Sequence, residues 1–355
     1  MRVIIRADGN KEIAMGHIMR CLSVADAMRE AAEVIFVTAG SETKELIGER
    51  GFQNEVLGTD YRDMEGELSA FSHFLTEHPA QLILVDSYFV TERYMEALGK
   101  LTKTAYMDDM GQPVYPLTVL INYNIYAGEL PYKRWYKEAG LTLPKELLTG
   151  CLYAPLRKEF RKGLCSRAGE MVTDVLITTG GGDMANAAAA ICRRLIGEIE
   201  AGEHKGVHYH IVCGPFAADR ELLHALSAVH AQLVIHENVT NMSELMEKCD
   251  IAVSAAGSTM YELCSMRLPA VCFYFAENQR QMAEYFDKRT EIRNAGNILE
   301  NREAVLERLL ARLGELERDS ALRERIRRQM SELTDGRGAV RLAEKLIACA
   351  RGENA

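Results

Sequence analysis

No stretch of this chain offers 18 consecutive apolar residues, so no segment reads as a membrane-spanning helix. A C-x-x-C pair is missing too, which removes the commonest zinc and redox motifs. There is no Walker lysine and no G-x-S-x-G elbow, so neither a P-loop nor a serine-hydrolase site is indicated. Low-complexity tracts and internal repeats are absent. Excess positive charge is lacking as well: 42 Lys and Arg stand against 51 Asp and Glu, a formal net charge of -9. Such a balance repels phosphate backbones, so no nucleic-acid partner is expected. Residues 1–160 share the acidic balance, which argues against attraction to anionic lipid and against stable membrane association. The opening MRVIIRADGN meets a charge after three apolar residues, so a signal peptide is not expected. A cytoplasmic, soluble protein is the expectation.

What is present is the composition of a globular protein, 48% hydrophobic and 26% charged. At about 150 residues per domain, 355 residues suggest two domains. The nine cysteines are scattered, several within apolar runs, and read as buried thiols. Continuous apolar runs mark strands at 3–7, 34–39, 82–86, 103–108 and 118–122, then at 173–178, 207–213, 232–236, 250–254 and 269–275. Uninterrupted apolar strands suit a sheet covered on both faces, and helical segments separate most of them. The pattern predicts an α/β chain of two doubly wound, Rossmann-like domains, bounded near residues 157–170. The expected domains are 1–160, with a catalytic loop, and 170–355, ending in a helical tail. In that tail Leu306, Leu309, Leu310, Leu313 and Leu316 recur at helical spacing, as in a helix packed on its own domain.

Three loops that follow strands carry residues suited to chemistry. In ADGNKEIAMGHIMRC (7–21), Gly16 is expected to adopt an unusual backbone angle just before His17, which opens a helix. A helix amino terminus disfavours positive charge and would keep this imidazole a competent base. The alternative is that His17 only binds a ligand or caps the helix. TTGGGDMAN (178–186) precedes an Ala-rich helix, where glycine N–H groups can approach a phosphate. A tight turn capped by Asp183 explains that loop equally well. SAAGSTMYELC (254–264) again leads from strand to helix, with Glu262 one turn beyond Ser258 and able to accept from ribose hydroxyls. Glu277, Asn278 and Gln279 form a polar cluster after the last strand of that set. Asp108 and Asp109 invite a metal reading, but capping and turn formation account for adjacent acids as readily. His208 and His210 share a strand face without a clear third ligand.

Taken together, GHIMRCLSVADAM (16–28), MDDMG (107–111), INYN (121–124), GCLYAPLRKEF (150–160), AAGSTMYELC (255–264) and AENQ (276–279) occur in the order found in one family. The chain resembles the UDP-2,4-diacetamido-2,4,6-trideoxy-β-L-altropyranose hydrolases of pseudaminic-acid biosynthesis and the related spore-coat polysaccharide proteins. The resemblance runs from residue 1 to roughly 290 and implies a GT-B-like fold. It also implies hydrolysis of a UDP-sugar at the anomeric carbon, with no cofactor and no metal. By matching, His17 is the catalytic residue that activates water, and Tyr88 and Asn278 lie near the sugar. Glu262 would hold the ribose, with Gly181, Ser258 and Thr259 near the pyrophosphate. Gly16, Arg20, Glu277 and Gln279 complete the expected substrate contacts. UDP leaves readily at neutral pH, so one base and donors for the departing phosphate could suffice without a carboxylate pair. The competing readings are a GT-B glycosyltransferase using a UDP-sugar donor and a non-catalytic nucleotide-sugar binding protein.

Overall fold

All ten expected strands form, and three more join them at sheet edges. The computed structural model describes residues 1–162, 169–180, 183, 185–214 and 217–353. The chain divides into two compact units, one comprising Met1–Arg157 with Arg337–Ala355 and the other Lys158–Gly336.

In chain order the first unit holds β1 (Arg2–Ala7), α1 (Gly16–Met28), β2 (Glu33–Thr38), α2 (Lys44–Glu49), β3 (Gln53–Val56) and α3 (Leu68–Glu77). β4 (Leu82–Asp86), α4 (Glu92–Leu101), β5 (Lys103–Met107), β6 (Val119–Asn122), α5 (Tyr132–Glu138) and β7 (Glu146–Thr149) follow. The seven strands are parallel, in the order β3-β2-β1-β4-β5-β6-β7. The order reverses beside β1, which creates a switch point between β1 and β4 at the carboxyl edge, the place where such sheets bind ligands. β1 and β4 are almost entirely buried, as strands covered on both faces must be.

A charged network inside this core fixes the loops above it. The fully buried Arg6 donates from Nε and Nη2 to Glu67 at 2.7 and 2.6 Å, and from Nη1 to the Asp8 carboxylate. Tyr94 Oη donates to Glu67 Oε1 at 2.7 Å. Asp8 Oδ1 in turn accepts from the Ala39 N–H at 2.7 Å, tying the loop after β1 to the loop after β2.

The second unit holds β8 (Asp174–Thr178), α6 (Ala187–Glu200), β9 (His208–Cys213), α7 (Arg220–Val229), β10 (Leu233–Glu237), α8 (Met242–Lys248) and β11 (Ile251–Ala255). It continues with α9 (Thr259–Met266), β12 (Ala270–Tyr274), α10 (Glu277–Arg289), β13 (Arg293–Asn297), α11 (Arg302–Arg318) and α12 (Ser320–Leu333). Its parallel sheet runs β10-β9-β8-β11-β12-β13, again with a switch point, here between β8 and β11. The five tail leucines are all buried on α11, which packs against β13, β12 and α6.

The end of the chain departs from the expected 170–355 domain. The last helix, α13 (Gly338–Arg351), belongs to the first unit. It packs on α1, and Lys103 Nζ donates to its terminal carbonyls, Cys349 O at 2.7 Å and Ala350 O at 3.2 Å. A lysine there satisfies carbonyls that a helix end leaves unpaired. Gly338 sits so tightly against the backbone of Ala154 that a Cβ could not be accommodated. The eight described cysteines are buried thiols, and Cys165 lies outside the described residues. Among the described residues no helix is long and apolar enough to cross a membrane.

Candidate functional site

The loop leading into α1 is shaped by Asn10, whose Oδ1 accepts from the N–H groups of Glu12 at 2.8 Å and Ile13 at 3.0 Å. The unusual backbone angle expected at Gly16 falls instead at Ala14, with φ 56°. Gly16 is the first residue of α1, and a Cβ built on it would meet nothing within 4 Å. Its missing side chain leaves open, exposed backbone at the helix start.

His17 follows, buried, and its partner comes from β4. β1 and β4 pair in a register that sets Ala7 beside Asp86, so the acid ending β4 lies under the loop that β1 feeds. His17 Nδ1 stands 2.6 Å from Asp86 Oδ1. The same carboxylate accepts from Arg20 Nε at 2.6 Å, from Arg20 Nη2, and from Cys21 Sγ at 3.4 Å. Burial by itself would push the Asp86 carboxyl up. The positive charge of Arg20, together with His17, overcomes this and holds it well below the usual carboxylate range. An ionised carboxylate can only accept, so the Asp86 contact calls for a hydrogen on His17 Nδ1, and a neutral ring held in that way keeps its lone pair on Nε2. That tautomer presents a base.

Arg20, one helical turn beyond His17, aims its donors into the protein. Its Nη1 reaches Asp109 Oδ2 and Tyr123 Oη, each at 2.7 Å. Asp86, Asp109 and Tyr123 end or follow β4, β5 and β6, so one guanidinium fastens three neighbouring strand ends. Tyr88 lies edge-on to His17, ring centres 4.5 Å apart, and its hydroxyl is 3.5 Å from Asp109 Oδ2. At 42% exposure its ring remains available to a ligand.

The acids Asp108 and Asp109 turn to different partners. Asp108 Oδ1 accepts from the N–H groups of Met110 and Gly111, both at 2.8 Å, and its Oδ2 accepts from Tyr132 Oη at 2.6 Å. Asp108 therefore holds its own turn, whereas Asp109 faces Arg20 and Tyr88.

In the second unit, Asp183 does cap α6, accepting from Ala187 N at 2.8 Å and Ala188 N at 2.9 Å. Gly180, with φ 82°, makes the preceding turn, a conformation that favours glycine. Gly181 lies outside the described residues. Ser258 precedes α9 and Thr259 begins it, with Glu262 half-buried in the first turn. These residues follow β11 at the switch point beside β8. Gln279 lies next to Gly257 and accepts from the Phe275 N–H at 3.2 Å, so it braces the loop before α10. Asn278 is exposed at the start of α10, and Glu277 is exposed and paired with Arg280 at 3.5 Å. His208 is exposed on β9, while His210 is hydrogen-bonded between Asp174 and His236, both contacts at 2.9 Å.

From the sequence, Asp86 is only the last residue of the strand at 82–86, Asp109 only the neighbour of Asp108, and Tyr123 only part of INYN. The available signal was that Asp86 closes the strand expected to flank β1 if the order reversed there.

Residues 175–340 match the Glycosyltransferase family 28 C-terminal domain, from the first strand of the second unit onward. The chain is 27% identical over 300 residues to an uncharacterized protein of Methanocaldococcus jannaschii. That alignment covers 81% of this chain and 59% of the archaeal protein, so the chain spans less than two thirds of its relative. Among solved structures, MurG of Acinetobacter baumannii aligns over 97% of this chain and 98% of its own, with a TM-score of 0.65 at 12% identity. The spinosyn rhamnosyltransferase SpnG covers 97% and 100% at a TM-score of 0.63 and 15% identity. A UDP-glucosyltransferase from Polygonum tinctorium covers 99% and 98% at a TM-score of 0.65 and 12% identity. The chain thus shares the fold of these GT-B proteins, two parallel Rossmann-like sheets with a helical carboxyl-terminal region.

Proposed function

We propose that this protein hydrolyses a UDP-linked 2,4-diacetamido-2,4,6-trideoxyhexose to free sugar and UDP, the reaction of the pseudaminic-acid pathway hydrolases whose motifs it resembles. The observation that carries the proposal is the His17–Asp86 pair at the carboxyl edge of the first sheet, Nδ1 to Oδ1 2.6 Å. In the proposed step, His17 Nε2 takes a proton from water as the water oxygen bonds to the anomeric carbon. The bond from that carbon to the β-phosphate oxygen breaks, and its electron pair leaves with UDP. The imidazolium then returns its proton to solvent. A positioned general base of this kind contributes roughly 10²- to 10⁴-fold.

Nucleotide binding is assigned to the second unit. The family 28 match over residues 175–340 supports this, as do relatives of the same fold, one solved with thymidine diphosphate and another titled as a UDP-glucosyltransferase. Glu262 is proposed to accept from the ribose hydroxyls. Ser258 and Thr259, where a helix begins, are proposed to donate to the pyrophosphate. Gly181 is proposed beside them from the motif alone. Gly16, Tyr88 and Asn278 are proposed to contact the sugar, the first two from the exposed edge around His17. Glu277 is proposed to contact the substrate, and Gln279 to shape its loop through the backbone of Phe275.

The family 28 match also favours a second reading, transfer of the sugar to an acceptor. Mass spectrometry on a panel of UDP-diacetamido sugars, with no acceptor present, separates the two. Release of free sugar and UDP at a steady rate supports hydrolysis, and turnover only on addition of an acceptor supports transfer. Binding without turnover of any panel member would point to a nucleotide-sugar binding protein.

A further inference from the structure

Arg20 stands among the residues that the family resemblance would give to the substrate, yet its geometry describes a different task. Its Nε and Nη2 grip the Asp86 carboxylate and its Nη1 holds Asp109 and Tyr123, so four donor bonds run into the protein. The remaining Nη2 hydrogen faces His17 Nδ1 at 3.0 Å, so Arg20 and Asp86 meet the same ring nitrogen, the first able only to donate to it and the second, when ionised, only to accept from it. Only 11% of the side chain is exposed.

We propose that Arg20 is a positioning residue: it holds Asp86 as a hydrogen-bond acceptor and thereby fixes the His17 tautomer whose Nε2 can take a proton. The proposal rests on His17 acting as the base. Asp86 is faced by His17, Arg20 and Cys21 from α1, by Tyr106 from β5, and by Asp109 and Tyr123 beyond β5 and β6. Arg20 is the permanent positive charge in that set. Without it, Asp86 is a buried carboxylate close to a second one, Asp109, and such a pair gains a proton. A protonated Asp86 offers its hydrogen to His17 Nδ1. The imidazole must then carry its own hydrogen on Nε2, and the base is lost. Arg20 keeps this switch in one position through a neighbour, with no contact to the reacting atoms required.

Long-range ¹⁵N–¹H spectroscopy of the histidine rings in the full-length chain reads the tautomer directly, with His17→Gln supplying the assignment. In the wild type at neutral pH, His17 should carry hydrogen on Nδ1. In Arg20→Met it should carry hydrogen on Nε2, and kcat should fall roughly 10²- to 10⁴-fold with KM little changed. Raising the pH should restore both the tautomer and part of the rate as Asp86 ionises. Arg20→Lys, which keeps the charge, should keep the Nδ1–H tautomer. If Arg20→Met does not fold, Arg20→Met/Asp109→Asn removes one of the uncompensated carboxylates, and the same spectrum is read there. An Nδ1–H tautomer retained without Arg20 would overturn the proposal. A rise in KM with kcat intact would do so too, making Arg20 a substrate ligand. The spectrum needs no substrate. A wild type that turns over no UDP-sugar, yet loses its Nδ1–H tautomer on Arg20→Met, would count against the proposed reaction and for the role of Arg20.

Discussion

His17 Nδ1 and Asp86 Oδ1 meet at 2.6 Å across 69 residues of sequence, because β4 lies beside β1 and ends level with it. With Nδ1 donating to the carboxylate, a neutral imidazole has one donor side and leaves the other nitrogen as an acceptor. The proposed chemistry depends on that asymmetry.

Either member of the pair should be needed for turnover and neither for nucleotide binding. His17→Gln removes the base, and activity should fall roughly 10²- to 10⁴-fold. Asp86→Asn sets an amide hydrogen against either His17 Nδ1–H or an Arg20 donor, and a comparable loss is expected from the wrong tautomer. Calorimetry with UDP should give affinities close to wild type for His17→Gln. An affinity that collapses with activity would make His17 a binding residue.

Glu262, in the first turn of α9, is expected to act on binding. A hydrogen bond to a charged acceptor is worth roughly 1.5–3 kcal/mol, so Glu262→Ala should weaken UDP about ten- to a hundredfold. The same contact exists before and during bond cleavage, so KM should rise while kcat changes little. Titration with UDP and 2′-deoxy-UDP checks the assignment. A mutant that still prefers UDP over the deoxy analogue as the wild type does would place the ribose elsewhere.

Much of this architecture was readable from the chain because interior parallel strands are continuously apolar, as VIIRA and LILVD show. The strands that escaped notice, QNEV, ELLT and RNAGN, lie at sheet edges, where one side is open and polar residues are tolerated. His17 was visible because a Gly-His pair follows the first strand. Asp86 was not visible as its partner, since strand adjacency is a property of sheet order and leaves no local mark. Arg20 could be placed near His17 by helical spacing, but its inward aim depends on Asp109 and Tyr123, which approach from two other strand ends. The return of α13 to the first unit was equally hidden, because an amphipathic helix does not name the sheet it covers.

The Arg6–Glu67 pair makes the first unit sensitive to one substitution. Both side chains are fully buried, and Glu67→Ala leaves Arg6 with only Asp8 as a charged partner. Breaking a buried pair typically costs about 3–5 kcal/mol. Denaturant unfolding should show a loss of that order, and a loss below about 1 kcal/mol would mean that water or Asp8 compensates fully.

A half-buried histidine links stability to pH. His204 is clasped by Glu317 at 2.8 Å and Glu198 at 2.9 Å. The hydrogen bond that His204 donates to Glu317 is the largest influence; burial opposes it, Glu198 adds to it, and the imidazole is raised from 6.5 to about 9. A raised histidine favours folding fully below its unfolded value and loses that contribution as pH climbs through the folded one. The wild type should therefore lose Tm between pH 7 and pH 10 more steeply than His204→Gln. Parallel curves for the two proteins would show that the clasp carries no net charge stabilisation.

The most direct test of the proposed hydrolysis is turnover of a UDP-diacetamido sugar in H₂¹⁸O with no acceptor present, with products weighed immediately by mass spectrometry. Attack of His17-activated water on the anomeric carbon puts ¹⁸O in the released sugar and leaves UDP unlabelled. Label in UDP, or no products until an acceptor is added, would contradict the account.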